Sequence, residues 1–158
     1  MTGRGRTRAP AGLGRGALAG AAAAAVWAAA EPLARRAFGT GYSDVRLLGA
    51  MLTRGRAWPL VGGAIHLANG ALFGALFVRL GGRGIREAVL AAQAENLALW
   101  PAMALVDRYH PDRRSGDLPP LLLNGRVFAQ EAAVHALFGA VLGALVRLDT
   151  ADAASRES

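Results

Sequence analysis

From Trp58 to Val78 the chain carries no Asp, Glu, Lys or Arg. A helix rises about 1.5 Å per residue, so such a stretch reaches across the ~30 Å hydrocarbon core of a bilayer. No other feature limits the fold as tightly. A water-facing helix of that length shows a polar stripe at helical spacing, and this one does not. Three further blocks approach the same length: Gly16–Ala37, Ala88–Val106 and Val127–Val146. The first and third are rich in alanine, which is only mildly hydrophobic, and they carry Glu31 and Glu95. The expectation is an all-α fold, a four-helix transmembrane bundle, with a soluble alanine-rich bundle as the alternative. The arginine-rich start and alanine-rich centre of the first block also fit a signal peptide. Its length, and its match to a later block, read it as a retained helix.

The basic residues are all arginine, and the net charge is +7. They sit between the apolar blocks, as juxtamembrane flanks do, and form no single stripe of the kind that binds nucleic acid. The expected partners are therefore the lipid bilayer and, as a further option, a second copy of the chain, with no nucleic acid. Cysteine is absent, which excludes disulfides, zinc-thiolate sites and thiol nucleophiles. Serine occurs only at Ser43, Ser115, Ser155 and Ser158, in loops and tails, so no nucleophile motif favours an enzyme. Arg4, Arg6, Arg8 and Arg15 crowd the first block and favour an inside N-terminus.

The chain repeats itself at an offset of 69 residues (135 − 66). His66 then falls on His135, Gly70 on Gly139, Gly74 on Gly143, and Pro32 on Pro101. Histidine and proline are scarce in this composition, so their coincidence outweighs that of alanine. The reading is two tandem helical hairpins, repeat 1 at about 12–80 and repeat 2 at about 85–148, pointing the same way through the membrane. Chance similarity between Ala/Gly-rich helices is the alternative.

In lipid, small residues four apart let helix backbones approach closely. Gly62, Gly70 and Gly74 form such a row around His66, and Gly139 and Gly143 continue one from Glu131 and His135. Gly12, Gly16 and Gly20 make a third. These are the expected helix-packing positions, and each histidine lies on a packed face. Ionisable and amide residues at membrane depth normally face the bundle interior. Glu31, His66, Asn69, Glu95, Asn96, Glu131 and His135 are therefore expected to converge as an intramembrane polar cluster. Three roles are open to it: hydrogen-bonded glue between helices, a proton or ion relay, or a divalent metal site of histidine and carboxylate. No catalytic residue and no cofactor is predicted. Metal stays the least favoured, because the spacing is Glu-x-x-x-His on one helix and not the Glu-x-x-His of metal-binding bundles.

The loop from Asp107 reads DRYHPDRRSGD. His110, Pro111 and Asp112 resemble the His-Pro-Asp signature of the J-domain co-chaperones, which would imply stimulation of an ATPase chaperone. The preceding block lacks that family's basic helix. In the first loop Ser43 can cap a helix. Val45, Leu48 and Leu52 are spaced like the apolar face of a short interfacial helix, or belong to an ordinary loop.

Glutamate near the end of the first helix followed by proline and arginines (WAAAEPLARR), His66 in the second helix, and Glu131 with His135 in the last together resemble the YagU-like small inner-membrane proteins of bacteria. The resemblance extends over most of the chain, although the first loop lacks the family's proline-rich character. It implies a multi-pass protein of the cytoplasmic membrane linked to acid tolerance, with no established activity. The alternative function is non-catalytic helix packing or assembly. A membrane domain over 12–148 is expected between a mobile basic tail at 1–11 and a mobile tail at 149–158.

Overall fold

The structure is a computed structural model that describes residues 10–53 and 55–155, with side chains between Gly12 and Leu148. Of the two expected tails, residues 1–9 and 156–158 lie outside the described residues, while 149–155 continue the last helix. The elements are α1 (Pro10–Phe38), α2 (Asp44–Leu52), α3 (Trp58–Arg79), α4 (Ile85–Leu99), α5 (Met103–Tyr109), α6 (Pro111–Ser115) and α7 (Gly125–Ser155). A 3₁₀ turn at Trp100–Ala102 joins α4 to α5. No strand occurs among the described residues. Gly12–Phe38, Trp58–Arg79, Ile85–Tyr109 and Gly125–Leu148 are each long and apolar enough to cross a membrane.

Local chemistry sets the helix ends. The Ser43 hydroxyl accepts from Arg46 N–H at 3.1 Å and starts α2. Pro59 stands in the first turn of α3, where a missing N–H costs nothing. Asn124 Oδ1 accepts from Arg126 and Val127 N–H and starts α7. At the end of α3 the chain turns through Gly81 at φ 86°, and Gly82 N–H reaches back to the Phe77 carbonyl at 2.9 Å. The two prolines paired by the repeat behave differently. Pro32 lies inside a continuous α1, whereas Pro101 sits in the 3₁₀ turn that interrupts the third apolar block.

The packing inverts that of a water-soluble bundle. Its principal core holds Ala19, Ala23, Ala24, Ala88 and Ala92 with Trp27, Phe138 and Leu142, whereas Leu18, Leu60, Leu72, Leu90 and Leu105 point outward. Large side chains face outward where lipid would lie, and small residues face inward where backbones must approach. α1 packs against α3 and α7, and α4 packs against α7. The glycines mark these contacts. A Cβ on Gly74 would stand 2.8 Å from Gly20 Cα, and one on Gly70 2.5 Å from Ala24 Cβ. On the other pair, a Cβ on Gly139 would stand 2.5 Å from Val89 Cα, and one on Gly143 2.8 Å from Ile85 N. Gly62 makes a different contact from the one its row implies. Its backbone lies against Val45 and Gly49 of α2, not against a spanning helix.

α2 also departs from an interfacial helix. Its buried residues are Leu47, Gly49 and Ala50, and Leu52 is exposed. The helix lies along α3, with Gly49 beside Trp58 and Asp44 reaching His66. His66 is about 12 Å along the axis from Trp58. The chain leaving α1 therefore turns back down before α2 climbs again, and α2 is re-entrant. Irregular backbone at such depth is tolerated where protein buries it. Tyr42 and Ser43 are buried, the Tyr42 carbonyl accepts from Gln130 Nε2, and Thr40 Oγ1 bonds Gln130 Oε1.

A second, smaller core caps this end: Tyr42, Leu47, Leu118, Leu121 and Val127. The His-Pro-Asp tripeptide is folded into it. His110 is 3% exposed, caps α6 by accepting from Asp112 N–H, and bonds the Leu47 carbonyl at 3.0 Å. Asp112 meets Arg46 Nε at 2.6 Å, and Asp117 meets Arg46 Nη2 at 3.1 Å. The guanidinium also lies 5.4 Å from the Trp58 ring centroid. These side chains are partly solvated, so Arg46→Met is expected to lower stability by only about 1 kcal/mol. A double-mutant cycle with Asp112→Asn, read by chemical denaturation in detergent, should assign most of that loss to the pair. Full additivity of the two substitutions would show that the pair contributes nothing.

Candidate functional site

The site begins with what α1 and α3 bring together. Close glycine packing sets Trp27 and His66 side by side, with ring centroids 4.9 Å apart and edge-on. α7 brings His135 to the same indole, at 4.5 Å. Trp27 thus contacts two imidazoles that the sequence places 69 residues apart (135 − 66).

His66 is held at both nitrogens. Nδ1 lies 2.7 Å from Asp44 Oδ2, and Nε2 lies 3.1 Å from the Ala24 carbonyl. A carbonyl can only accept, so Nε2 carries a proton. Nδ1 then either donates to an ionised Asp44, as imidazolium, or accepts from a protonated Asp44. The pair is net neutral in both arrangements, as a site shielded from water favours. Asp44 is itself fixed, because its backbone N–H donates to Glu31 Oε2 at 2.9 Å. Tyr42 Oη lies 3.4 Å from Asp44 Oδ1. Burial pushes the Tyr42 phenol well above its ordinary value, with the carboxyl groups of Glu131, Asp44 and Glu31 adding to the effect.

On α7, His135 Nδ1 donates to the Glu131 carbonyl at 2.8 Å and lies 3.9 Å from Glu131 Oε2. Glu131 Oε1 is buried without a hydrogen-bond partner, as are Asn96 Nδ2 and Trp27 Nε1. Gln93 Nε2, also on α4, is satisfied by the Ala132 carbonyl at 2.6 Å.

These groups surround a cavity of about 200 Å³. Of the expected cluster, His66, Asn69, Glu95, Asn96, Glu131 and His135 line it. Asn69 does so from an exposed position and Glu95 from a half-buried one. Glu31 is buried but does not line the cavity, and acts on it through Asp44 N–H. Among the described residues, no group of three His, Asp or Glu side chains is arranged to hold a metal ion. No protein-family model, curated protein or solved structure matches this chain. The reading of the site therefore rests on its own chemistry.

Asp44, Tyr42 and Trp27 were absent from the expected cluster. Asp44 stands in a loop by composition, and only a re-entrant path carries it to His66. Its one sequence signal is the cap at Ser43, which places a helix start there but says nothing about depth. Trp27 reads as a packing residue, and the T-shaped contacts to both imidazoles arise only once three helices meet.

Proposed function

We propose that the protein is a multi-pass protein of the cytoplasmic membrane that binds and exchanges protons within its bundle, as a membrane-stress or acid-tolerance protein would. The bundle is two tandem hairpins. In support, Gly70 lies against Gly20 and Gly74 against Gly16 in the first, while Gly139 lies against Val89 and Gly143 against Ile85 in the second. Gly16 and Gly20 correspond to Ile85 and Val89 at the same offset of 69 (85 − 16).

The observation that carries the proton reading is the hydrogen-bonded Asp44–His66 pair bordering a cavity shared with Glu95, Glu131 and His135. Titratable groups lining it come from the loop and four helices: Tyr42, Asp44 of α2, His66 of α3, Glu95 of α4, and Glu131 and His135 of α7, with Glu31 of α1 behind Asp44. All lie toward the α2 end. Beyond them Ala19, Ala88, Ala92, Leu142 and Val146 fill the core. That distribution favours a reservoir or sensor that exchanges protons with one side over a path running right across.

A packing or assembly role is the second reading. It draws on how many polar atoms are used internally, such as Gln93 on Ala132 and Gln130 on Tyr42. The experiment that separates the two uses His66→Gln in cells lacking the wild-type chain, at matched membrane abundance. Survival at low pH is expected to fall about tenfold, the change that ~1.4 kcal/mol makes in an equilibrium. Proton uptake by the purified variant in liposomes, followed with a pH dye after a pH jump, should fall in parallel. Wild-type survival and uptake in a variant that folds normally would leave only the packing role.

A further inference from the structure

We propose that the groove between α3 and α4 binds a single-chain amphiphile with an uncharged hydroxyl head. α3 rests on α1 and α4 rests on α7, leaving a channel between them. The polar cavity occupies one part of this channel. A second cavity of about 460 Å³ continues it, lined by Leu76, Phe77, Leu80, Ala91 and the Gly81–Gly82 backbone, with Phe73 bordering both. The charged side chain on it, Glu87, is exposed and accepts from Arg83 N–H. Together they fall within the ~300–1,000 Å³ usual for small-ligand sites. α3 rises about 21 Å between His66 and Leu80, which suits one long alkyl chain.

The head is specified by what the protein leaves unmet. Trp27 Nε1, Asn96 Nδ2 and Glu131 Oε1 have no hydrogen-bond partner, and their residues are 7%, 4% and 5% exposed. All three residues line the polar cavity. Buried polar groups are rarely left so. A hydroxyl accepts from the indole or amide N–H and donates to the carboxyl oxygen. An ammonium head has no lone pair for Trp27 or Asn96. A phosphate or carboxylate head meets no arginine among the described residues lining the polar cavity, so its charge would be buried uncompensated. The annex beside the polar cavity, apolar except for the exposed Glu87, calls for an amphiphile, since water alone would fill only the polar part.

The test is fluorescence quenching of the full chain in detergent. A Trp58→Phe background leaves Trp27 and Trp100, both bordering the polar cavity, as the indoles. The probe is a monoacylglycerol brominated on its chain, compared with the fatty acid and the lysophosphatidylcholine of the same chain. Saturable quenching by the monoacylglycerol is expected, at about tenfold lower concentration than the other two, as one or two hydrogen bonds would give. Asn96→Leu should bring the three heads to parity. Leu76→Gln, at an exposed position that threatens the fold less, should weaken all three. Equal or non-saturable quenching by the three heads in the folded protein would overturn the proposal, showing only a bulk acyl chain or water in the groove. The readout is independent of proton uptake, so either idea can fail alone.

Discussion

Valine at Gly20 is expected to push α1 away from α3 and cost the fold about 3 kcal/mol. A Cβ at that position would stand 2.9 Å from the Gly70 carbonyl carbon and 3.0 Å from Gly74 Cα. Both neighbours are backbone and cannot rotate aside, so the helices themselves must part. Overpacking in cores ordinarily costs about 1–3 kcal/mol, and backbone contact places this site at or above the upper end. Parting α1 from α3 also parts Ala24 from His66, so the cavity is lost with the seam. A loss of ~3 kcal/mol corresponds to a melting temperature lower by roughly 10 °C in a chain of this size. Gly63→Val is the control, since nothing lies within 4 Å of a Cβ there. Thermal unfolding by circular dichroism in detergent should separate the two variants clearly. A Gly20→Val protein that melts with the wild type would mean that the seam is not packed as described.

How far the sequence foretells this arrangement can be judged residue by residue. The four long helices are legible because hydrophobic length is a one-dimensional property, and uncharged runs such as Trp58–Val78 need no partner to be recognised. The glycine rows are legible in part. Gly70, Gly74, Gly139 and Gly143 lie in tight backbone contacts, as small residues at helical spacing should. Gly62 shares their row, yet its neighbour is α2, because spacing names the face of a helix and not what covers it. His66, Asn96, Glu131 and His135 can be foreseen as buried, since a polar group facing lipid is costly. Asn69 cannot be sorted from them this way, and it is exposed at the lip of the cavity. The re-entrant turn before α2 is the part that periodicity misses. Nothing local in GTGYSD records that Tyr42 and Asp44 descend to the level of His66. That depth follows from tertiary contacts of Tyr42 with Gln130, of Asp44 with Glu31 and of Val45 with Gly62.

Asp44→Ala should cost more stability than truncation of any other carboxyl side chain in the site. It strips the partner from His66 Nδ1, whose side chain is 6% exposed, while Asp44 is 18% exposed. Breaking a buried pair by removing one member costs about 3–5 kcal/mol, and partial exposure of Asp44 places the expectation near ~3 kcal/mol. Asp44→Asn behaves differently. A neutral imidazole can keep Nε2–H on the Ala24 carbonyl and accept at Nδ1 from the new amide, so stability should hold to within about 1 kcal/mol. What that variant loses is the extra proton that the carboxyl and the ring share. Proton uptake should therefore fall in Asp44→Asn while folding persists, the dissociation of stability from function that a purely structural pair would not produce. Replacing both members, as Asp44→Ala with His66→Leu, removes the stranded ring nitrogen together with its partner. The double variant should then be less destabilised than the sum of the singles, because groups in direct contact couple. Denaturation midpoints of the four proteins complete the cycle. Strict additivity, or wild-type proton uptake in Asp44→Asn, would dissolve the pair as a unit and return His66 to the role of a hydrogen-bonded strut between α1 and α3.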